Sequence, residues 1–282
     1  MKIDSIKIEN YRNIEDLNLD FGEVNIIYGE NAQGKTNLIE AIYLFTGAKS
    51  FRGTKDADLI KFNSDFARLK IDFSDDERNQ DAEILIKEKR SATLNGVKKQ
   101  SASALGEEIK AVVFSPIHLS MVKDGPAERR KFIDNALCQI RANYKTVLKE
   151  YNRCLTQRNV LLKDLQRNPE LQDMLYIWDR NFAKAGAKII YQRQRYVDEL
   201  LPFAKEIFSG LSGGAEELDI QLKGSFEYKD LKTDEIERQF IEALEKNRTE
   251  DVLNGVSGIG PHRDDMEILI NGKSAGLFGT CT

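Results

Sequence analysis

Val24-Asn25-Ile26-Ile27-Tyr28-Gly29-Glu30-Asn31-Ala32-Gln33-Gly34-Lys35-Thr36-Asn37-Leu38-Ile39-Glu40-Ala41-Ile42 is the stretch on which the reading of this chain turns. Its middle, Gly29 to Thr36, matches G-x-x-x-x-G-K-[ST], the phosphate-binding P-loop pattern. Val24 to Tyr28 is short and nearly all apolar, which predicts a strand covered on both faces, as in a parallel α/β sheet. Leu38, Ile39, Ala41, Ile42 and Phe45 change to helical spacing, and Gly47 can stop that helix. Strand, loop and helix in that order are the context the motif needs. Glycines let backbone N–H groups curl around a phosphate, and the helix start adds unpaired N–H groups and the positive end of its dipole. Lys35 is then placed to reach the β- and γ-phosphates, with the Thr36 hydroxyl as a Mg2+ ligand.

Ile3, Ile6 and Ile8, then Leu17, Leu19 and Phe21, recur mostly at a period of two and predict two strands joined around Tyr11-Arg12-Asn13. Strands return over 66–98, where Leu69, Ile71 and Phe73 alternate, as do Ile84 and Ile86, and Asn95-Gly96 signals a type I′ hairpin. Ala111-Val112-Val113-Phe114 reads as another short buried strand. From Gly125-Pro126 the texture becomes helical. Leu137, Ile140, Tyr144, Val147, Leu148, Tyr151 and Leu155 hold one helical face, Asn168-Pro169 interrupts it, and residues 171–208 resume it. A strand over Leu218 to Phe226, a helix over 235–247, and the strand Met266, Ile268, Ile270 before Asn271-Gly272 complete the pattern. The fold class is α/β: a P-loop nucleotide-binding lobe with mixed sheets, carrying an inserted all-helical lobe. The division expected is 1–124 with 255–282 as the nucleotide-binding lobe, and 125–254 as the mainly helical one.

The chain has 282 residues, 41% hydrophobic and 31% charged, enough for one large or two modest domains and far from a disordered composition. Its net charge of −4 excludes a globally basic nucleic-acid binder but not a local basic surface. Residues 123–200 hold 16 Lys/Arg against 10 Asp/Glu, and the remainder holds 26 against 36, so a basic helical stretch is set against an acidic body. Three widely spaced cysteines without a CxxC argue against a disulfide framework or a cysteine zinc site and point to a reducing compartment. The first residues hold no apolar signal region, and the longest apolar runs fall far short of the roughly 20 residues of a membrane span. A soluble, cytoplasmic protein is expected.

A GTPase would carry an N-K-x-D guanine reader, which is absent, and a small P-loop kinase would leave the basic helical stretch unexplained. The start Ile8-Glu9-Asn10-Tyr11-Arg12-Asn13 followed by Gly29-Glu30-Asn31-Ala32-Gln33-Gly34-Lys35-Thr36-Asn37 resembles the opening of the SMC and ABC-type ATPases of DNA repair, and within them the RecF family. Three further stretches carry the likeness across the chain. They are Lys49-Ser50-Phe51-Arg52; Val113-Phe114-Ser115-Pro116 continuing to Gly125-Pro126 and Arg129-Arg130-Lys131-Phe132-Ile133-Asp134; and Gly260-Pro261-His262-Arg263-Asp264-Asp265 with Ile270-Asn271-Gly272. The resemblance implies an ABC-type ATPase using ATP and Mg2+, dimerising head to head on ATP and closing on DNA. It would act at single-strand gaps or single-strand/double-strand junctions with recombination mediator proteins, assisting recombinase loading, replication and the SOS response.

On the same resemblance Gly29, Glu30, Asn31, Ala32, Gln33, Gly34, Lys35, Thr36 and Asn37 form the nucleotide cradle, joined by Arg12 and Asn13. A capped turn between strands is the other reading of that pair. Arg52 lies near the nucleotide or a dimer interface, or is a solvated loop residue. The loop after Phe114 is the candidate Q-loop. The family's signature motif, Walker B Asp-Glu pair and switch histidine find no counterpart before Thr282, so no catalytic residue is assigned and a C-terminally truncated, non-catalytic nucleotide-binding fragment is the alternative. Asp264-Asp265 follows no apolar strand and reads as a strand-start turn instead. Arg141, Lys145, Lys149 and Arg153 recur every four residues and are candidate DNA-phosphate contacts or a solvated helix face. Arg129 and Arg130 are further candidates, with an ion pair to Asp134 as the internal alternative. Tyr144, Tyr151, Trp178 and Phe182 read as core, Cys138 and Cys154 as small core fillers, and His262 has no second ligand near it for a metal.

Overall fold

The computed structural model describes residues 1–115, 120–123, 125–229 and 231–278. It divides into two units, Met1–Phe114 and Ser115–Thr282. Among the described residues no helix is long and apolar enough to cross a membrane.

In the first unit, β1 (Lys2–Tyr11), β2 (Ile14–Asp20), β3 (Ala67–Ser74), β4 (Asn79–Ile86), β5 (Arg90–Leu94) and β6 (Val97–Lys98) form one antiparallel sheet ordered β2-β1-β3-β4-β5-β6. The period-two pattern fixes which face is covered. Ile6, Ile8, Leu69, Ile71, Phe73, Ala82, Ile84 and Ile86 are buried, while their alternates carry Lys, Glu, Arg and Asp. α1 (Lys35–Leu44) lays Leu38, Ala41 and Leu44 into the same core. Burying each large apolar side chain contributes about 1.5–3 kcal/mol, so a one-residue register slip, which would turn every one of them outward, is strongly disfavoured. Asn95 and Gly96 take φ of 51° and 74°, the left-handed pair a type I′ turn needs.

Two expected strands are absent from this sheet. Val24–Tyr28 and Ala111–Phe114 run outside any strand, with Val24 85%, Tyr28 90% and Val112 95% exposed. Central strands need hydrogen-bonding neighbours on both edges, and among the described residues neither segment has a ladder partner. Their apolar composition does not by itself make them strands. The candidate Q-loop after Phe114 falls largely on residues 116–119 and 124, outside the described residues, as does the 280–282 ending.

The second unit is built on four helices. They are α3 (Pro126–Ile140), α4 (Tyr144–Leu165), α5 (Gln172–Ser212) and α6 (Thr233–Asn254), with the short α2 (Ser120–Lys123) before them. Gly125 caps α3 and Pro126 takes its first position, where the missing N–H is not needed. α5, 41 residues and so about 60 Å long, is the spine. Tyr151 of α4 stacks on Phe182 of α5 with centroids 4.8 Å apart, and Phe182 meets Phe240 of α6 at 5.4 Å. Gly186 lets these rings onto the α5 backbone: a Cβ there would lie 2.5 Å from Phe240. The helical face expected from Leu137 to Leu155 is broken at Arg141–Asn143, where Arg141 leaves the helix with φ −121° and ψ 110°. No glycine or proline marks that break.

β7 (Leu218–Lys223), β8 (Asp265–Ile270) and β9 (Lys273–Ser274) form a second antiparallel sheet, followed by α7 (Ala275–Phe278). β7 lies inside the helical stretch of the sequence, so its partner β8 is drawn into the same unit. Residues 255–278 therefore group with the helices, and not with 1–114 as the sequence division had it.

A buried polar network fastens this unit. The Arg158 guanidinium donates to Asp179 at 2.7 Å, Asp251 at 2.7 Å and the Ser257 hydroxyl at 2.8 Å, and Arg248 approaches Asp179 at 3.3 Å. Two arginines and two aspartates leave no net buried charge, the condition under which such a cluster is tolerated. Arg193 holds both oxygens of Asp134 and donates to the Pro261 carbonyl. His262 bridges Tyr151 and Ser257: its Nε2 faces the Ser257 carbonyl at 3.0 Å and its Nδ1 the Tyr151 hydroxyl at 2.7 Å. The Ser257 carbonyl can only accept, so Nε2 carries a proton; in the neutral ring Nδ1 then accepts from the Tyr151 hydroxyl.

Burial pushes the His262 imidazole down to about 4; the Ser257 carbonyl opposes the shift and Arg263, Arg130 and Arg158 reinforce it. Between pH 6.5 and 4 the unfolded chain therefore binds a proton that the folded one refuses, and stability falls as pH falls through that window. His262→Gln is expected to lower the melting temperature at pH 7.5 and to flatten its decline between pH 6.5 and 4. A wild-type and variant profile running parallel through that window would contradict this role.

Candidate nucleotide site

The loop from Gly29 to Gly34 leads into α1, and its geometry is set from outside as much as from within. Gly34 has φ of 97°, and a Cβ there would meet the Asn13 side-chain oxygen at 3.0 Å, so only glycine fits. Ala32 also takes a left-handed φ, 66°, which disfavours an alanine by roughly 1 kcal/mol. Its carbonyl is held by the Asn13 amide at 2.8 Å. Asn37 donates to Asn13 at 2.7 Å and Arg52 donates to Asn37 at 2.9 Å. Arg52, Asn37 and Asn13 thus form one hydrogen-bonded track ending on the strained peptide of the loop.

The start of α1 has the features of an anion site. Gly34 caps it with no side-chain acceptor, and no acid lies in its first turn, so the first amides are left as donors. The Lys35 ammonium folds over the loop and donates to the Gly29 and Glu30 carbonyls at 2.7 and 2.6 Å. Glu30, Asn31, Ala32 and Gln33 are exposed, and Lys35 and Thr36 sit at the helix start with Asn37 one residue on.

Arg12 does not join that cradle. Its guanidinium is bidentate to the fully buried Glu40 of α1, at 2.8 Å through both Nε and Nη2, and reaches the Thr54 hydroxyl at 2.6 Å. Ser50 donates to Glu40 Oε1, the oxygen that Arg12 Nη2 also reaches. Burial works to raise the Glu40 carboxyl, but Arg12 and Ser50 outweigh it and hold the group below the usual carboxylate range. The Glu40 bond in turn raises the Arg12 guanidinium. Of the pair Arg12-Asn13, Arg12 is thus bonded to Glu40 and Thr54, while Asn13 touches the loop itself. Glu40, Ser50 and Thr54 were missed in the sequence. The available signal was an acid on the face of α1 shared with Leu44, which calls for a cation.

The six candidate DNA contacts separate. Arg129 is bidentate to Asp265 at 2.7 and 2.8 Å, and Arg130 donates to the Asp264 carbonyl. Asp134, the expected partner of that arginine pair, belongs to Arg193 instead. Arg141 lies off α4 and holds both oxygens of Glu199. Lys145, Lys149 and Arg153 are exposed along α4. Asp264 is buried against Ser225 and Asp265 begins β8, as a strand-start turn would have it. Among the described residues no cluster of His, Cys, Asp and Glu could hold a metal ion.

A family model for the AAA ATPase domain matches residues 1–252, so the chain is an ATPase-domain protein of the P-loop class. The DNA replication and repair protein RecF of Lachnoclostridium phytofermentans is 37% identical over 283 residues, 99% of this chain and 76% of that protein. RecF of Bacillus cytotoxicus is 38% identical with the same coverage. A solved structure of the recombination mediator protein RecF-ATPrS in the RecFOR pathway superposes with a TM-score of 0.93 at 34% identity, covering 99% of this chain and 76% of that one. The RecF-ATP structure gives 0.90 at 34%, covering 98% and 75%. The chain belongs to the RecF family of DNA replication and repair proteins.

Glu40→Gln is expected to leave Arg12 facing a neutral amide in a buried pocket and to lower the unfolding free energy by about 3 kcal/mol. Urea unfolding of the variant checks this. A loss below about 0.5 kcal/mol would show that the pair does not fasten α1.

Proposed function

We propose that this chain binds Mg-ATP at Gly29–Asn37 and, in that state, binds DNA at single-strand gaps or single-strand/double-strand junctions. The observation that carries the reading is the start of α1, uncapped, acid-free and preceded by a glycine-rich loop under Lys35. A triphosphate brings several oxygens, each able to take an amide donor. It offers Lys35 an anionic acceptor in place of the Gly29 and Glu30 carbonyls. Thr36 would hold Mg2+, which would supply charge neutralisation between phosphate oxygens. Asn13 acts from behind by fixing the Ala32 peptide, and Arg12 acts further back by fixing α1.

Solved relatives described as RecF-ATPrS and RecF-ATP support nucleotide binding, and the RecFOR pathway named for them supports recombination mediators as partners. The same reading makes the protein an ATP-dependent homodimer that assists recombinase loading, replication and the SOS response in the cytoplasm. Its proposed DNA contacts on α4 are the exposed Lys149 and Arg153, with the exposed Lys145 on the same helix. Arg129 and Arg130 are engaged inside the unit and are better assigned to its stability, while Arg141 is paired to Glu199 at the surface.

Lys35→Ala removes a charge-assisted contact made to phosphate and is expected to weaken Mg-ATP binding about tenfold or more while leaving the fold intact. Titration calorimetry with matched melting curves tests it. Equal affinity in variant and wild type would remove the loop from the nucleotide site.

A further inference from the structure

The longest helix carries a row of cations that the contacts proposed on α4 do not include. Between the buried Asp179 and Asp198, α5 runs 18 residues without one acid, in a chain that has 46. Five cations fall in that interval. Arg193 is buried on Asp134, and the other four, Arg180, Lys184, Lys188 and Arg195, are exposed.

Their side of the helix follows from the packing. Gly186 abuts Tyr151 of α4 and Phe240 of α6, and Phe182 stacks on Tyr151. Lys184 lies two residues from each of these contacts and Lys188 two residues beyond Gly186. Two residues are about 200° around a helix of 3.6 residues per turn, so both lysines point away from α4 and α6. Arg180 stands four residues before Lys184 on the same outer side, and Arg195 seven after Lys188. At 1.5 Å per residue the row spans about 22 Å.

The ends of the row are ordered by aromatic rings. The Arg180 guanidinium lies over Tyr176 at 5.9 Å and that of Arg195 over Tyr191 at 5.9 Å. Such stacking holds an arginine extended without neutralising it. Arg195 also donates to Glu199, so the full charge of the row is concentrated in Arg180, Lys184 and Lys188, for which no acid lies within ion-pair distance among the described residues. A surface chosen only for solvation would mix signs, as the face of α6 does where Arg238 sits between Glu235 and Glu242.

We infer that the outer face of α5 is a DNA-binding surface on which Arg180, Lys184 and Lys188 track the phosphate backbone. The partner is a polyanion with charge repeated along a line, which an acid-free row of single-sign charge fits and an ordinary protein surface of mixed sign does not. The inference rests on the proposed DNA binding and adds a face to it. α4 presents Lys149 and Arg153 two residues to either side of Tyr151, hence also turned away from α5.

The test measures binding of fluorescein-labelled DNA, as a single strand and as the matching duplex, by anisotropy over a salt series with Mg-ATP present. Arg180→Gln/Lys184→Gln/Lys188→Gln is expected to weaken binding roughly tenfold at about 0.1 M salt and to reduce the slope of log K against log salt by about two to three. The drop should be near 0.7 per lost contact if the bound form is the single strand and near 0.9 if it is the duplex. Lys184→Arg/Lys188→Arg, which keeps the charge, should bind as wild type, and unchanged melting curves show that the triple variant is folded. Wild-type binding with affinity and slope unaltered in the triple variant, on both DNAs, overturns the α5 surface alone. Failure of the wild type to bind either DNA overturns the proposed DNA binding and this surface with it.

Discussion

The bidentate ion pair between Arg12 and Glu40 is the constraint on which the nucleotide lobe depends. Arg12 sits in the turn between β1 and β2 with a left-handed φ of 55°, and its amide is tied to the Leu59 carbonyl. Glu40 sits in the middle of α1. Their pairing joins the first hairpin of the sheet to the helix that begins at Lys35, and Ser50 and Thr54 bring the next loop onto the same two groups. A buried carboxylate is tolerated only where its charge is matched and its oxygens are bonded, and both conditions hold here. The consequence for function is positional. α1 cannot tilt without breaking the pair, so the amides at its start keep their direction. Asn13, the neighbour of Arg12 in the same turn, then fixes the Ala32 peptide from a platform that is already rigid.

The helical unit solves a different problem with similar means. Its long helices bury arginines as well as apolar side chains, and each buried arginine meets its own acids: Arg158 with Asp179 and Asp251, Arg193 with Asp134. The segment from Ser257 to Asp265 threads through this network, so the tail of the chain is locked to α4 and α5 by hydrogen bonds as well as by pairing of β8 with β7. With these arginines paired inside, the exposed cations of residues 123–200 remain on the surface, among them Lys131 on α3, Lys149 and Arg153 on α4, and Arg180, Lys184 and Lys188 on α5.

Much of this was legible in the sequence. The P-loop, the helix after it, the hairpin at Asn95-Gly96 and the first strand pair declare themselves through local chemistry, since each depends on residues adjacent in the chain. The breaks that glycine or proline marks, at Gly125-Pro126 and Asn168-Pro169, were equally plain. Three things were not. Val24–Tyr28 and Ala111–Phe114 have strand composition, but a strand exists only with a neighbour, and composition cannot supply one. The break at Arg141–Asn143 has no glycine or proline to announce it. Cations were the least legible of all. Arg12, Arg129 and Arg130 look like ligand contacts until the positions of Glu40, Asp265 and the Asp264 carbonyl are known, and these lie 28, 136 and 134 residues away in the chain. Charge tells what a side chain can bind, and only the fold tells what it already has.

The most direct test of the central claim is backbone amide hydrogen exchange, followed residue by residue with and without Mg-ATP. If the amides of the loop and the first turn of α1 hold the phosphates, exchange slows over residues 29–37 on adding nucleotide. The amides of β3 and β4, in the middle of the same unit's sheet, should exchange at unchanged rates. Protection confined to any other segment, with 29–37 exchanging as before, would contradict it.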